Sequence, residues 1–159
     1  MGRMTKRREF LKTAGLAAAG ATGLCLSIGK AQGQEKPAGT DKTLVSWVTL
    51  DNTTQQGGSA LTIQAGDKFD GIVFGEKAVG KWMAGSNYYA RTQGNQQANA
   101  AEKADSKTLI QMAIVYKGNQ ISIYRDAETY ASYEATNLDL LSPRDNMAVF
   151  GLRHCGAMS

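Results

Sequence analysis

The chain has 159 residues, of which 42% are hydrophobic and 20% are charged, and its formal net charge is +4. Residues 1–33 contain six basic residues and one acidic residue, so the remaining 126 residues carry a net charge of −1. A nucleic-acid-binding protein needs a basic face, and this remainder has no basic excess, so nucleic acid is excluded as the expected partner. The remainder is long enough for one domain with its own core.

The first 33 residues have the three parts of a secretory signal. A basic stretch at Lys6–Lys12 precedes a softly apolar stretch at Thr13–Gly29, and small residues allow cleavage after Ala31 or after Gly33. The paired arginines and the residues after them resemble the signature of the twin-arginine translocase, which exports folded cargo. The matching positions are Arg7, Arg8, Phe10 and Leu11. We therefore expect a periplasmic or secreted protein whose partner during export is this translocase.

The apolar part of this segment does not predict a permanent membrane span. A spanning helix needs ~20 strongly apolar residues, and this stretch is shorter and diluted by Gly, Ser and Thr. The only cysteines are Cys25 and Cys155, and Cys25 would leave with the signal. An internal disulfide is therefore not expected, and stability should come from a hydrophobic core or from a metal.

After a polar linker at residues 34–42, short apolar segments alternate with turn residues through the expected domain, residues 43–159. Period-2 alternation and flanking glycines predict eight short strands. They are Thr43–Leu50, Ser59–Ala65, Phe69–Gly75, Lys81–Ala84, Leu109–Tyr116, a strand that begins near Ile121, Thr129–Ala135 and Met147–Leu152. Many closely spaced strands with little helix favour an antiparallel sandwich.

The sequence also predicts one long loop, one doubly covered strand and one hairpin turn. Gly94–Lys107 is rich in Gln, Asn and Ala, which predicts a solvated loop, with a helical turn at Asn99–Ala104 at most. Leu109–Tyr116 is apolar on both faces, which is typical of a central strand covered on both sides. Gly and Asn in the next turn allow the positive φ of a hairpin.

Five segments of the domain carry a family signal: "TLVSWVTLDNTTQQGGSALTIQ", "FDGIVFGE", "KWMAGSNYYART", "IQMAIVYKGNQISIYRDAETYASY" and "AVFGLRH". They resemble the concanavalin A-like, laminin-G-like jelly-roll domains of bacterial secreted proteins. The resemblance covers about Lys42 to Gly156 and implies an all-β, antiparallel jelly-roll sandwich. The family often has Asn-Gly where this chain has Asp126 and Ala127, which predicts a looser second hairpin bend.

Two of these segments, "FDGIVFGE" and "KWMAGS", are similar to the domain that precedes the catalytic part of some exported β-fructosidase-type glycoside hydrolases. Such domains usually end with a closing strand after the "GLRH" segment, and this chain stops at Ser159. The resemblance thus implies a fragment, a truncated gene model or a variant that lacks its closing strand.

The best candidate for ligand binding is a turn-rich segment that combines aromatic rings with planar polar groups. A sugar stacks its C–H face on a ring while its hydroxyls take hydrogen bonds. The candidate residues are Trp82, Asn87, Tyr88, Tyr89 and Arg91. Packing within the core or at a sheet edge is the alternative for Trp82 and Tyr89. The aromatic residues inside predicted strands are expected in the core, namely Trp47, Tyr116 and Tyr124.

No catalytic constellation emerges. Glycosidases need two positioned carboxylates, and the acidic residues here lie mostly at turns, without the Asn-Asp-Pro, Arg-Asp-Pro or Glu-Cys motifs of β-fructosidases. With a single histidine, His154, a histidine-based metal cluster is excluded. Calcium is the one cofactor considered, because its ligands are loop oxygens, and the candidates would be Asp51, Asp67 and Asp70.

Three functions remain open at this point. The leading hypothesis is an exported, non-catalytic carbohydrate-binding or interaction module. The alternative is the N-terminal part of a secreted glycoside hydrolase whose catalytic domain lies beyond this chain. A structural accessory domain without a ligand is the third.

Overall fold

The computed structural model describes residues 24–27, 41–136, 141 and 146–152, with the backbone alone at residues 24–27. Within these ranges the chain forms nine strands, one turn of 3-10 helix and no α-helix. The strands are β1 Leu24–Ser27, β2 Lys42–Val48, β3 Ser59–Ala65, β4 Lys68–Phe74, β5 Trp82–Ser86, β6 Ile110–Lys117, β7 Gln120–Arg125, β8 Glu128–Glu134 and β9 Met147–Phe150. Strands β2 to β9 are the eight predicted strands, with ends displaced by no more than two residues.

The strands form two antiparallel sheets that pack face to face, which confirms the predicted all-β jelly-roll sandwich. The five-stranded sheet has the order β1-β9-β3-β4-β5, and the four-stranded sheet has the order β2-β6-β7-β8. Side chains alternate along each strand, so every strand sends one set of residues between the sheets. That inner layer includes Ile72 and Trp82 from one sheet and Ile114 and Ile123 from the other.

β1 lies at one end of the five-stranded sheet, inside the stretch predicted to be the export signal. It pairs antiparallel with β9, from Leu24 opposite Phe150 to Ser27 opposite Met147. The other side of β9 pairs with β3. The signature residues of the predicted signal lie outside the described residues, as do His154, Cys155 and most of the chain between β8 and β9.

The four-stranded sheet contains the two predicted hairpins. Gly118 turns between β6 and β7 with φ of 56°, as a tight hairpin turn requires. The looser second bend that we expected is wrong: Asp126 and Ala127 form a two-residue turn between the paired residues Arg125 and Glu128. Both turn residues have positive φ, 49° and 69°, which is the geometry that Asn-Gly adopts most easily.

The outer surfaces of the two sheets differ. On the five-stranded sheet the outward residues Val73 and Met83 are fully buried, and a Cβ atom at Gly85 would lie 2.4 Å from Val73 Cγ2. On the four-stranded sheet the outward side chains are exposed or half-exposed, so the expectation that β6 is covered on both sides is wrong. The predicted core positions of Trp47 and Tyr124 are wrong for the same reason. Trp47 points outward from β2 and is 55% exposed, and Tyr124 points outward from β7, opposite Ala113. The predicted core position of Tyr116 is confirmed.

The segment at residues 94–107 is a loop without a helical turn, and it is less solvated than expected. Gln96 and Glu102 are buried, and the Glu102 N–H donates to the carbonyl of Gly80 at 2.8 Å. Lys81 Nζ donates to the carbonyls of Gln96 and Gln97. The loop therefore covers the segment leading into β5, the edge strand of its sheet, and so protects that edge. No helix among the described residues is long and apolar enough to cross a membrane.

Candidate functional site

The residues that follow β5 form a single turn of 3-10 helix, Asn87–Tyr89, which we call the tyrosine turn. The two tyrosines have positive φ, 50° at Tyr88 and 57° at Tyr89. Tyr88 is 90% exposed and Tyr89 is 38% exposed. A bulky residue in the left-handed region is a genuine outlier, and two in succession present two aromatic rings at the surface.

Local hydrogen bonds close the tyrosine turn. The Ala90 N–H donates to the carbonyl of Asn87 at 3.0 Å, and the Thr92 N–H donates to the carbonyl of Tyr89 at 3.1 Å. The Ser86 hydroxyl accepts the Arg91 N–H at 2.9 Å. These bonds fix the backbone on both sides of the tyrosines, which is what a strained conformation needs in order to persist.

A buried ion-pair network supports the turn from below. Asp70 on β4 has no exposed surface, and its Oδ1 accepts Arg91 Nε at 2.9 Å and Arg91 Nη2 at 2.8 Å. Lys42 Nζ at the start of β2 lies 2.6 Å from Asp70 Oδ2. A buried carboxylate is tolerated only when it is paired and hydrogen-bonded. Asp70 meets this condition, because it pairs with Arg91, which follows β5 of one sheet, and with Lys42 on β2 of the other.

Other side chains tie the rest of the turn in place. Arg91 Nη2 also donates to Asn87 Oδ1 at 3.4 Å. The hydroxyl of Tyr133 on β8 donates to the Arg91 carbonyl at 2.9 Å, and burial raises the pKa of that hydroxyl well above its usual value. The turn is thus anchored to both sheets.

The Tyr89 ring is held beside a pair of charged residues from the β4–β5 connection. Its hydroxyl donates to Glu76 Oε1 at 2.8 Å, and Lys77 Nζ lies 5.8 Å from the ring centroid, within the range of a cation–π contact. Tyr88, in contrast, projects into solvent and is 90% exposed. Tyr88 therefore offers a platform for stacking, and Tyr89 forms its fixed neighbour.

Trp82 lies in the core and not in this surface. Its side chain has no exposed area, it packs 4.8 Å from the Phe74 ring, and its indole N–H donates to Glu102 Oε2 at 2.9 Å. Arg125 makes a two-pronged contact with the same carboxylate, from Nε at 2.7 Å and from Nη2 at 3.0 Å. No sugar can stack on Trp82 in this arrangement.

Glu102 is the second buried carboxylate of the described residues. Burial alone would raise its pKa, but hydrogen bonds from Arg125, from the Trp82 indole and from the backbone N–H groups of Ala104 and Lys103 outweigh burial and lower the pKa from 4.5 to about 2. Glu102 is therefore ionised at every physiological pH, and it fastens the 94–107 loop to both sheets.

The structure thus brings four of the five predicted site residues together. Asn87, Tyr88 and Tyr89 share the tyrosine turn, Arg91 supports it from inside, and Trp82 lies apart. Sequence reasoning missed Asp70, which had been considered only for calcium. No sequence signal linked Asp70 to Arg91, because an antiparallel hairpin and a turn separate them along the chain.

The acidic residues do not assemble into a cation site within the described ranges. No group of three or more His, Cys, Asp or Glu residues is placed to hold a metal ion there. Asp51 and Asp67 are exposed, and Asp70 is occupied by Arg91 and Lys42.

Comparison with known proteins places this fold in a family. The family model described as the concanavalin A-like lectin/glucanases superfamily, of laminin-G type, matches residues 21–155, which is most of the chain. The chain belongs to this superfamily. The match begins inside the predicted export signal, shortly before β1.

Two solved structures resemble this concanavalin A-like domain distantly. The galectin LEC-6 of Caenorhabditis elegans is 14% identical, with 82% of this chain and 84% of the galectin aligned and a TM-score of 0.45. A structure from work on endo-acting O-glycanases, which human gut bacteria express to initiate mucin breakdown, is 15% identical with a TM-score of 0.37 and covers 70% of this chain and 54% of its own. TM-scores this low carry no functional argument. No curated protein matches the chain.

Proposed function

We propose that this domain is an exported, non-catalytic carbohydrate-binding module that takes its ligand at the tyrosine turn. The observation that carries the proposal is the pair of consecutive tyrosines in the left-handed region, one of them 90% exposed. Strained residues persist where the surroundings impose them, and they cluster at ligand sites. A ring held out in solvent at a cost in backbone energy serves binding and not folding.

The chemistry around the turn suits a sugar. The free faces of the Tyr88 ring can stack on the C–H face of a pyranose or furanose, and the exposed Tyr88 hydroxyl and the Asn87 amide can exchange hydrogen bonds with sugar hydroxyls. Membership of a superfamily of lectins and glucanases agrees with this class of ligand.

A binding role is favoured over a hydrolytic one by the state of the buried carboxylates. Among the described residues, Asp70 and Glu102 are the two acids in the interior, and each is engaged by a guanidinium group. A glycosidase needs one carboxylic acid that is protonated near neutral pH and a second carboxylate within reach of the same bond. Neither residue is placed to serve in that way.

Export remains a proposal that rests on the N-terminal pattern alone. A twin-arginine signal delivers cargo that has folded in the cytoplasm, and a sandwich stabilised by a packed core and buried ion pairs requires no oxidising compartment to fold.

Affinity electrophoresis of the processed protein through gels that contain levan, dextran, laminarin or galactomannan tests the binding proposal. We expect at least one polysaccharide to retard the wild type, and Tyr88→Ala to weaken the apparent affinity about tenfold, which corresponds to ~1.4 kcal/mol. Tyr88→Phe is the matched control, because it keeps the ring and removes only the hydroxyl. Unchanged retardation of Tyr88→Ala would remove the tyrosine turn from the site, and no retardation by any glycan would end the carbohydrate proposal.

A further inference from the structure

The outward side of the four-stranded sheet is a second surface, which the tyrosine turn does not use. The cross-strand register sets its side chains in rows. One row is Val45, Ala113, Tyr124 and Thr129, the next is Thr43, Val115, Ser122 and Ser132, and Trp47 lies opposite Gln111. We call these ten residues the open face.

Trp47 dominates the open face. Its side chain is 55% exposed and Val45 beside it on the same strand is 37% exposed. Burial of a large apolar side chain stabilises the folded chain, and Trp47, more than half exposed, forgoes much of that stabilisation. Adjoining exposed apolar side chains that are rimmed by polar residues, unlike single ones, are typical of binding surfaces.

The open face has the relief of a shallow groove. Ala113 on β6 lies between Val45 on β2 and Tyr124 on β7. Adjacent strands are about 4.8 Å apart, so Val45 and Tyr124 stand on backbones about 10 Å apart with only a methyl group between them. Val45 and Tyr124 thus border a floor wide enough for one sugar ring, and Trp47 lies at one end of it, opposite Gln111.

The polar groups of the open face select an uncharged ligand. None of its ten residues is ionisable near neutral pH. The next outward row of the sheet, Lys117, Gln120 and Glu134, carries one charge of each sign, so the surface offers no cluster of positive charge for a carboxylate, sulfate or phosphate. Its hydroxyls are already ordered: the Ser122 and Ser132 Oγ atoms are 2.9 Å apart, and Gln120 Nε2 donates to Ser132 at 2.8 Å. The side-chain amide of Gln111, opposite Trp47, has no hydrogen-bond partner among the described residues.

The open face is also the sheet surface that remains accessible. The outward residues Val73 and Met83 of the other sheet are fully buried. The open face is separate from the tyrosine turn, because Lys42 contacts Asp70 below that turn and Trp47 lies five residues farther along β2. At about 3.4 Å per residue the separation along the strand is about 17 Å.

We propose that the open face is a second glycan-binding site, at which one ring of a neutral glycan stacks on Trp47, lies against Tyr124 and accepts a hydrogen bond from Gln111. The inference rests on the proposed function, since it adds a site to the same module. Two sites on one domain raise the apparent affinity for a long polysaccharide without any new contact at either site.

Tryptophan fluorescence tests this site separately. The chain has two tryptophans, and acrylamide reaches only Trp47, because Trp82 is buried. We expect a neutral polysaccharide that retards the protein in the gel to reduce acrylamide quenching of Trp47, both in the wild type and in Tyr88→Ala. We also expect Trp47→Ala to weaken retardation about tenfold, whereas Val79→Ala, a residue 53% exposed in the β4–β5 connection, leaves it unchanged.

The other outcomes overturn the second site. A polysaccharide that is retained while Trp47 stays fully quenchable would leave the tyrosine turn as the site and refute the open face. If the glycan no longer protects Trp47 from acrylamide in Tyr88→Ala, the open face does not bind independently of the tyrosine turn. Protection that grows with protein concentration, without glycan, would identify the open face as an interface between copies of the chain. If no polysaccharide is retained, the proposed function fails together with this inference.

Discussion

Four non-glycine residues of the described chain have positive φ, and they occur as two pairs: Tyr88 with Tyr89, and Asp126 with Ala127. The left-handed region costs an L-residue roughly 1–2 kcal/mol. Asp126 offsets its cost, because its carboxylate accepts the Gln111 N–H at 2.8 Å. The side chains of Ala127 and Tyr88 form no such bond within the described residues, so the strain at these two positions should be removable.

The first prediction concerns Ala127→Gly. Glycine adopts positive φ without a steric penalty, so this change should raise the free energy of unfolding by about 1 kcal/mol, net of the greater freedom of the unfolded chain. Thermal melting measures it as a rise of a few degrees. A fall in melting temperature would show that the alanine methyl group makes a contact worth more than the strain.

The second prediction applies the same argument to the tyrosine turn. Tyr88→Gly removes the strain together with a side chain that is 90% exposed, so the variant should melt at the same temperature as the wild type or a few degrees higher. A clear loss of stability would mean that the ring contributes to folding, and the strain would then carry no functional information.

At the scale of elements, the 94–107 loop behaves as part of the sandwich. Glu102 joins it to the Trp82 indole and to Arg125, and the hydroxyl of Tyr130 on β8 donates to the Ala100 carbonyl at 2.6 Å. The loop therefore bridges β5 of one sheet and the β7–β8 hairpin of the other. The ionised carboxylate of Glu102 is the one group of the loop that bonds to side chains of both sheets.

The third prediction is a pH dependence that arises from Glu102. Its pKa is lowered from 4.5 to about 2 in the folded chain, so between these values the unfolded chain binds the proton that the folded chain does not. Stability should therefore be fully present above pH 4.5 and be lost as the pH falls toward 2, by up to about 3 kcal/mol. Urea unfolding at a series of pH values measures this slope.

Glu102→Gln is the matched variant for that measurement. It should be less stable than the wild type at pH 7, because Arg125 loses its charged partner, and the part of the slope due to Glu102 should be absent. An equally steep loss of stability in the variant would assign the acid sensitivity to other carboxylates.

The strands were predictable from the sequence, whereas the outward position of Trp47 and the burial of the 94–107 loop were not. Strand alternation and glycine turns located β2 to β9, because period-2 burial leaves a direct mark on the residue pattern. The outward position of Trp47 left no such mark, since Leu44, Val45, Trp47 and Val48 make both faces of β2 apolar. The buried loop was missed because the residues it buries, Gln96 and Glu102, are polar, and polarity predicts exposure.

The tyrosine turn was predicted in part. An aromatic cluster in a turn-rich segment pointed to Asn87, Tyr88 and Tyr89, and the structure gathers these three. The core position of Trp82 is the alternative that the sequence left open, and the structure confirms it. Burial of Arg91 could not be foreseen, because its partner Asp70 is brought to it by the tertiary fold. Sequence spacing holds no information on such long-range pairs.

At the scale of the whole molecule, the sandwich is asymmetric: one outer sheet surface is covered, and the other is open and carries Trp47. The export proposal affects the five-stranded sheet, whose outer surface is the covered one. Cleavage after Ala31 or Gly33 would remove β1, because β1 is Leu24–Ser27. That would leave one edge of β9 unpaired, and an unpaired edge is a site for pairing with another strand.

The fourth prediction follows from this export proposal. The protein recovered from the periplasm or the medium should begin at Gln32 or Gln34, as measured by intact mass. A twin-lysine variant, Arg7→Lys with Arg8→Lys, should remain in the cytoplasm at full length. An exported protein with an N-terminus upstream of Leu24 would contradict the predicted cleavage sites and keep β1 in the mature fold.

The fifth prediction tests carbohydrate binding through the tyrosine turn most directly, by affinity electrophoresis of Tyr88→Gly beside Ala127→Gly. Both variants replace a positive-φ residue with glycine, so both should be folded and comparably stable, and only the first lacks the exposed ring. We predict that a polysaccharide that retards the wild type binds Ala127→Gly with the same apparent affinity. Its apparent affinity for Tyr88→Gly should be about tenfold lower. Equal retardation of the two variants would contradict a glycan site at the tyrosine turn.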